Sequence, residues 1–395
     1  MSQVWLIEIL KGIGKFFLHP IFYYSIFLAI LAGIVRVKKE RKDFHIRVYD
    51  IYQELRYLLP AGLLIGLIVS LITISSGFVI SFSMIAVLAI ITIVLSLIGN
   101  FRYLSSAFTI GFSFILLYLA SEMNWDIPIL SEHPSDSSLS GFIVILGIML
   151  IVEGIQMVRN GTKKFSPILR ESRRGLTVGA HQVKRIWLIP VFCFLPVGPM
   201  TAPFEWWPTF DFGTTSYSLI LIPFAVGFQQ QVQSTLPQIA VKRVGMNVIW
   251  LGIIALAIAI AGMWWSIFSI AAVIIAILGR GWISYRHRVR ENSATYYFTP
   301  QKKGLMVLAI IPFSPAEKLG LQMGEIIYKC NGQITLNKDE FYKALQKNRA
   351  YCKLEVFDVN GEIRFVQGAL FEGDHHELGI LTIEDKKKWN GNEAS

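Results

Sequence analysis

Long apolar runs fill the first three-quarters of the chain, near residues 16–35, 58–76, 78–98, 103–120, 141–158, 186–200, 217–229, 246–262 and 264–279. A helix needs about 20 predominantly apolar residues to cross a bilayer, so most of these runs predict membrane-spanning helices. Two runs, 186–200 and 217–229, are shorter and carry Pro190, Pro196, Pro199 and Pro223. Each is expected as a kinked span or as half of a re-entrant pair. The first run is long and no small-residue cleavage site follows it, so it reads as a span rather than a signal peptide. Residues 1–297 are therefore expected to form a polytopic α-helical membrane bundle of about 8–9 spans.

Between the first two runs the period changes. Phe44, Val48, Ile51, Leu55 and Leu58 recur at spacings of four, three, four and three, with Arg41, Lys42, Arg47, Asp50, Glu54 and Arg56 between them. That spacing predicts an amphipathic helix. It either lies on the anionic inner leaflet or packs on the bundle, or it docks a coiled-coil or other helical partner.

After residue 298 the runs become short and are punctuated by glycine. From Gly304 the chain reads GLMVLAIIPFSPAEKLGLQMGEIIYKCNGQI. An apolar strand is followed by Ser314-Pro315-Ala316, a short helix ending at Gly320-Leu321, Gly324-Glu325, a second strand and an Asn331-Gly332 turn. This order resembles the core of a bacterial-type PDZ domain, a small, partly open β-barrel or sandwich with two helices, here over 298–385. PDZ domains bind extended peptides by adding them as a strand to a sheet edge. The resemblance makes Gly304, Leu305, Met306, Val307 and Leu308 the edge strand. Lys303 and the first amides of that strand lie where a terminal carboxylate would be held. Lys338–Gln346 is the flanking helix, with Phe341 and Leu345 as either groove contacts or core residues. A hairpin is expected around residues 358–361, a closing strand over 379–383, and a disordered tail in the last residues, 386–395.

Composition supports the membrane reading: 53% of residues are hydrophobic and 16% charged, against about 25% charged in soluble domains. The net charge of +10 falls entirely before residue 298. It concentrates in 36–57, in 159–185, in the connection 229–245 and after the last run, from Arg280 to Arg290. Segments 121–140 and 201–216 contain no Lys or Arg. Basic connections stay in the cytoplasm, so the C-terminal domain is expected inside; nine spans put the N-terminus outside, whereas Lys11 and Lys15 with an even count put it inside. The same charge predicts contact with anionic lipid rather than with nucleic acid. Trp187, Trp206, Trp207, Trp250, Trp264, Trp265 and Trp282 are placed at span ends, where indole rings favour the interface. Gly62 and Gly66 form a small-xxx-small pair that predicts close helix packing. Glu153 is the acid well inside a span, read as a snorkelling or paired structural residue without a second ionisable group to form a relay.

The chemistry-bearing motifs point away from an enzyme. His376 is followed by Glu377, but Ile380 stands where a second zinc ligand of His-Glu-x-x-His belongs. There is no Gly-x-Ser-x-Gly elbow, no phosphate loop and no room for a soluble serine-protease domain. Cys193, Cys330 and Cys352 are too scattered for a disulfide framework or metal cluster, and no cofactor is expected. The latter two read as buried thiols.

The stretch FFLHPIFYY (16–24), the segment VRVKKERKDFHIRVYDIYQELRYLLPAGLLIGLI (35–68), the multispan core and the single C-terminal domain together resemble the MinJ family over nearly the full length. The resemblance implies a multi-pass protein of the bacterial cell membrane, enriched at septa and poles. It implies a scaffold that bridges the polar coiled-coil protein DivIVA to the MinC–MinD inhibitor of FtsZ-ring assembly and helps disassemble the division machinery. It carries no catalytic residues to transfer. The alternative is a PDZ-bearing membrane regulator of proteolysis or a transporter accessory protein.

Overall fold

Pro20 decides where the first long helix begins. The computed structural model describes residues 2–123, 125, 136–172, 174–201, 216–348, 350–370 and 378–383. It places helix α1 over Ser2–Leu18 and α2 over Pro20–Phe44. Pro20 takes the first helical position, where its missing N–H is harmless, and the preceding His19 caps α2 by accepting the Ile21 N–H. After α2 come a 3-10 turn at Ile51–Gln53, α3 (Leu55–Leu58), α4 (Pro60–Ser76), α5 (Phe82–Leu97), α6 (Ser106–Glu122) and α7 (Asp136–Arg159). Strands β1 (Ser166–Glu171), β2 (Thr177–Thr201) and β3 (Ser216–Val232) follow, then α8 (Pro237–Ala261) and α9 (Ser266–Ser293). Among the described residues five segments, Pro20–Phe44, Ile51–Ser76, Ser138–Arg159, Pro237–Ala261 and Ser266–Ser293, are long and apolar enough to cross a membrane. Phe82–Leu97 and Ser106–Glu122 are shorter apolar helices. This content is compatible with a membrane protein.

The two proline-bearing runs, expected as kinked or re-entrant helices, are instead the arms of one antiparallel hairpin, β2–β3, with β1 paired to the base of β2. A proline inside a helix costs roughly 3 kcal/mol and breaks its ladder. In the hairpin Pro190 sits directly opposite Pro223, so both missing donors fall on one rung. Pro199 lies in the register shift between Pro196 and Met200. Both strands are buried almost throughout, and residues of α4, α6, α7, α8 and α9 close one continuous core around them. Non-helical backbone at membrane depth is tolerated only inside such a protein shell.

One face of α4 covers β2. A Cβ on Gly62 would lie 2.0 Å from the Leu188 carbonyl oxygen, and one on Gly66 would lie 2.4 Å from that of Pro190. Further along the same face, the Ser70 hydroxyl accepts the Phe192 N–H at 2.9 Å, and Thr73 donates to the Phe192 carbonyl at 2.6 Å. The close packing expected of Gly62 and Gly66 is present, but the partner is a strand edge, not a helix.

The C-terminal region has its own core, with Val307, Ile327, Leu354 and Val356 at its centre. Its elements are β4 (Leu305–Met306), β5 (Ala309–Ile310), α10 (Pro315–Lys318), β6 (Ile326–Cys330), β7 (Gln333–Ile334), α11 (Lys338–Gln346), β8 (Tyr351–Phe357), β9 (Ile363–Ala369) and β10 (Ile380–Leu381). One sheet runs β4-β6-β8-β9, with β7 on β6, and β5 pairs with β10. Asn331 and Gly332 both have positive φ, 49° and 80°, as a tight Asn-Gly hairpin turn requires. The Asn331 side chain also donates to the Ala344 carbonyl and accepts the Lys353 N–H, tying α11 to β8. Asn337 caps α11 by accepting the Glu340 N–H, and the Glu340 carboxylate in turn accepts from the Asn337 side-chain amide and the Leu336 N–H. Cys330 and Cys352 are buried, free thiols facing each other across β6 and β8.

Candidate functional site

Two surfaces carry the sequence-level expectations: the strand–helix slot of the C-terminal region and the segment after α2. In the first, β4 is the end strand of its sheet among the described residues, the position to which strand addition would bring a peptide. Lys303 is exposed at its start, and Gly304 presses against β6, where a Cβ would meet the Ile327 carbonyl at 2.3 Å. Leu305 faces α11 across a slot shared with Lys338, Phe341, Tyr342, Ile380 and Thr382. The free volume there is about 10 Å³, room for a single water. Phe341 lines the slot and also belongs to the core, whereas Leu345 and Val307 are core residues. Met306 and Leu308 point away from the slot, into a cluster with Phe298, Leu169 and Phe44 that joins the C-terminal region to the rest of the molecule.

That junction is well tied. The Gly179 N–H donates to the Phe298 carbonyl at 2.9 Å, and His181 Nε2 lies 3.0 Å from the Leu308 carbonyl. His181 is fully buried, and burial lowers its pKa from 6.5 to about 4 despite the carbonyl contact. It is therefore neutral at pH 7 and donates to Leu308.

The segment after α2 is not the amphipathic helix its period predicts. His45 takes the left-handed conformation and ends α2. The buried Glu40 carboxylate then accepts the Val48 N–H at 2.8 Å, and Arg36 donates to the Asp50 carbonyl at 2.7 Å. Side chains one and two turns back on α2 thus take the backbone groups a continuing helix would use. Gly33 allows the fold-back: a Cβ there would stand 2.1 Å from the Ile51 carbonyl oxygen. The five apolar positions divide. Phe44 and Val48 pack against Ala309 and Leu381, Leu55 and Leu58 enter the core formed with Phe16, Leu28 and Ile186, and Ile51 is half-buried against α2. Tyr49, held between Arg36 and Lys164, has its hydroxyl pKa raised to about 12, chiefly by burial.

Several basic residues counted as surface charge are buried partners. Arg185 binds Glu54 at 2.6 Å and donates to the Lys163 and Lys164 carbonyls. Arg36 bridges Glu40 and Glu54, and Ser166 donates to Glu40. Glu153 does have a buried ionisable partner, contrary to expectation: Arg280 Nε lies 2.9 Å from its Oε1, while Ser105 Oγ and the Ser106 N–H fill Oε2. With its acceptors filled, Glu153 is a structural clamp between α6, α7 and α9. Trp187 is fully buried in β2, stacked on Phe228, rather than at an interface, whereas Trp250, Trp264, Trp265 and Trp282 are exposed. Trp206, Trp207, His376, Glu377 and the tail lie outside the described residues. Among the described residues no group of His, Cys, Asp and Glu is placed to hold a metal.

The architecture is that of an apolar helical assembly, built around a buried hairpin, that carries a docked, sheet-rich C-terminal region. The chain matches no family model. It is 40% identical over 390 residues, 98% of both chains, to the cell division topological determinant MinJ of Bacillus subtilis (strain 168). It is 23% identical over 374 residues to a probable cell division topological determinant MinJ of Lacticaseibacillus paracasei, covering 93% of this chain and 96% of the relative. The chain belongs to the MinJ family.

Proposed function

We propose that this chain is a non-enzymatic membrane scaffold in division-site selection, as the name of its Bacillus subtilis relative, cell division topological determinant, suggests. The observation that carries the reading is the 40% identity over 98% of the chain, which spans bundle, hairpin and C-terminal region alike. On this reading the C-terminal region is a PDZ-type module in the cytoplasm. Its end strand β4 recruits a peptide by strand addition, and α11 must shift to open the closed slot. The partners are a DivIVA-like polar protein and MinD. Weak contacts suffice because scaffold and partners share one membrane surface. The basic connections face the cytoplasm and anionic lipid, so segments 121–140 and 201–216 face outward.

A fluorescent fusion to the full chain tests this. Gathering at septa and poles, lost when the DivIVA-like protein is deleted, is the expected result. A uniform membrane ring that ignores the deletion overturns it.

A further inference from the structure

Helices α8 and α9 leave a cleft of about 490 Å³ between them, within the roughly 300–1,000 Å³ range of ligand sites. The chemistry of its walls is ordered along its length. At one end stand Arg243 of α8 and Arg286 and Arg290 of α9. Next come Trp250 and Trp282, 60% and 62% exposed, one from each helix. Beyond them the floor is Leu251, Ile254 and Gly279. Gly279 lets Leu251 pack directly on α9 to form that floor, since a Cβ there would lie 2.5 Å from Leu251 Cδ1. From Arg290 to Gly279 the rise along α9 is about 16 Å at 1.5 Å per residue.

Cation, indole, hydrocarbon is the order in which one bilayer leaflet presents phosphate, interface and acyl chain. The three arginines also lack internal compensation: among the described residues no ion pair links any of them to a carboxylate. Glu291 lines the same cleft, but its carboxylate is taken up by the Gln233 and Ser234 N–H groups and the Ser234 hydroxyl. A charge excess beside an apolar slot fits an amphiphile with an anionic head.

We propose that the α8–α9 cleft is a binding site for one anionic phospholipid, its phosphate held by Arg243, Arg286 and Arg290 and an acyl chain lying over Leu251 and Ile254. The site rests on the membrane localisation proposed above but not on any division partner. It also differs from the general attraction of basic loops to the leaflet, because it is a bounded slot with a defined stoichiometry.

Full-length protein extracted in detergent is titrated with phosphatidylglycerol or phosphatidylcholine, and bound lipid is counted by native mass spectrometry. One phosphatidylglycerol binds in preference to phosphatidylcholine. Arg286→Gln weakens it roughly fivefold, and the triple Arg243→Gln, Arg286→Gln, Arg290→Gln variant loses the preference. A control that removes equal charge elsewhere, Arg41→Gln, Lys42→Gln, Lys163→Gln, keeps it, and millimolar glycerol phosphate does not displace the lipid. Equal binding of the two lipids, loss of preference in the control, or full displacement by glycerol phosphate each overturns the site. Displacement would indicate a small-anion site instead. Recovery of the chain without detergent in the soluble fraction overturns the membrane reading and the site together, whereas loss of septal recruitment alone leaves the site standing.

Discussion

The hairpin β2–β3 and the sheet β4-β6-β8-β9 are both antiparallel, yet opposite patterns encode them. Strand β8 alternates exposed and buried positions along Tyr351–Phe357, while β3 is buried almost continuously from Tyr217 to Phe228. A period of two survives only where one face of a sheet meets water. Wrapped by helices on both faces, a hairpin becomes an apolar run, and by composition alone it matches a short membrane helix. The two regions also hold their edges differently. The C-terminal sheet leaves β4 at its end, whereas β2 is sealed by Ser70, Thr73 and the paired glycines of α4.

The largest effect that separates the regions is steric. Gly62→Leu drives a side chain into the Leu188 carbonyl and is expected to cost about 5 kcal/mol or more, eliminating folded full-length protein. Gly332→Ala, at a left-handed turn of the C-terminal sheet, costs about 1 kcal/mol. Detergent-extracted yield and thermal unfolding compare them, and equal losses would break the distinction. Next, Arg280→Met leaves Glu153 charged and buried, a loss of about 3–5 kcal/mol that a paired Glu153→Leu largely restores. In the C-terminal region Arg364 binds buried Glu325 at 2.6 Å but is 39% exposed, so Arg364→Met costs only about 1 kcal/mol after solvent screening. Double-mutant cycles on the melting temperature measure both. Asn331→Ala comes third. It strands the Ala344 carbonyl and Lys353 N–H and costs about 1–3 kcal/mol, read as faster hydrogen exchange confined to α11, β6 and β8.

The last test falls at the seam between the two regions. His181 has its pKa lowered from 6.5 to about 4, so the folded state favours the neutral ring. The stability this provides is complete above pH 6.5 and is lost as pH falls from there toward 4. Between pH 7.5 and 5.5 the loss is about 1.4 kcal/mol. Hydrogen-exchange protection at Phe298 and Leu308, corrected for the intrinsic pH dependence of amide exchange, should fall over that interval and not in His181→Gln. A flat pH response would mean the seam does not depend on ring neutrality.

Much of the fold was legible. All but two of the apolar runs are helices, and α11 falls over the expected Lys338–Gln346. Three features were not. The hairpin was masked by two-sided burial, although its prolines signalled that neither arm was a plain helix. The fold-back after α2 hid behind a sound helical period, because Glu40 and Arg36 act on the backbone that follows them, and pattern cannot register that competition. Arg280 was counted with the basic cluster because its partner Glu153 is 127 residues away in sequence. The one available hint was that Arg280 stands more than a helical turn before Arg286, at the end of an apolar run. In the candidate slot, periodicity could not choose between groove and core for Phe341 and Leu345. Packing places Phe341 in both and Leu345 in the core.

The contact of Val48 with Ala309 and Leu381 sets an order of birth. Val48 leaves the ribosome roughly 260 residues before Ala309, a delay of about 13–50 s at 5–20 residues per second. Through that interval Val48 waits for Ala309 and Leu381, its buried partners in that cluster. The last of the described elements, β10, completes the enclosure of a loop translated far earlier. Chains that stop short of Leu381 would therefore leave this patch around Val48 uncovered.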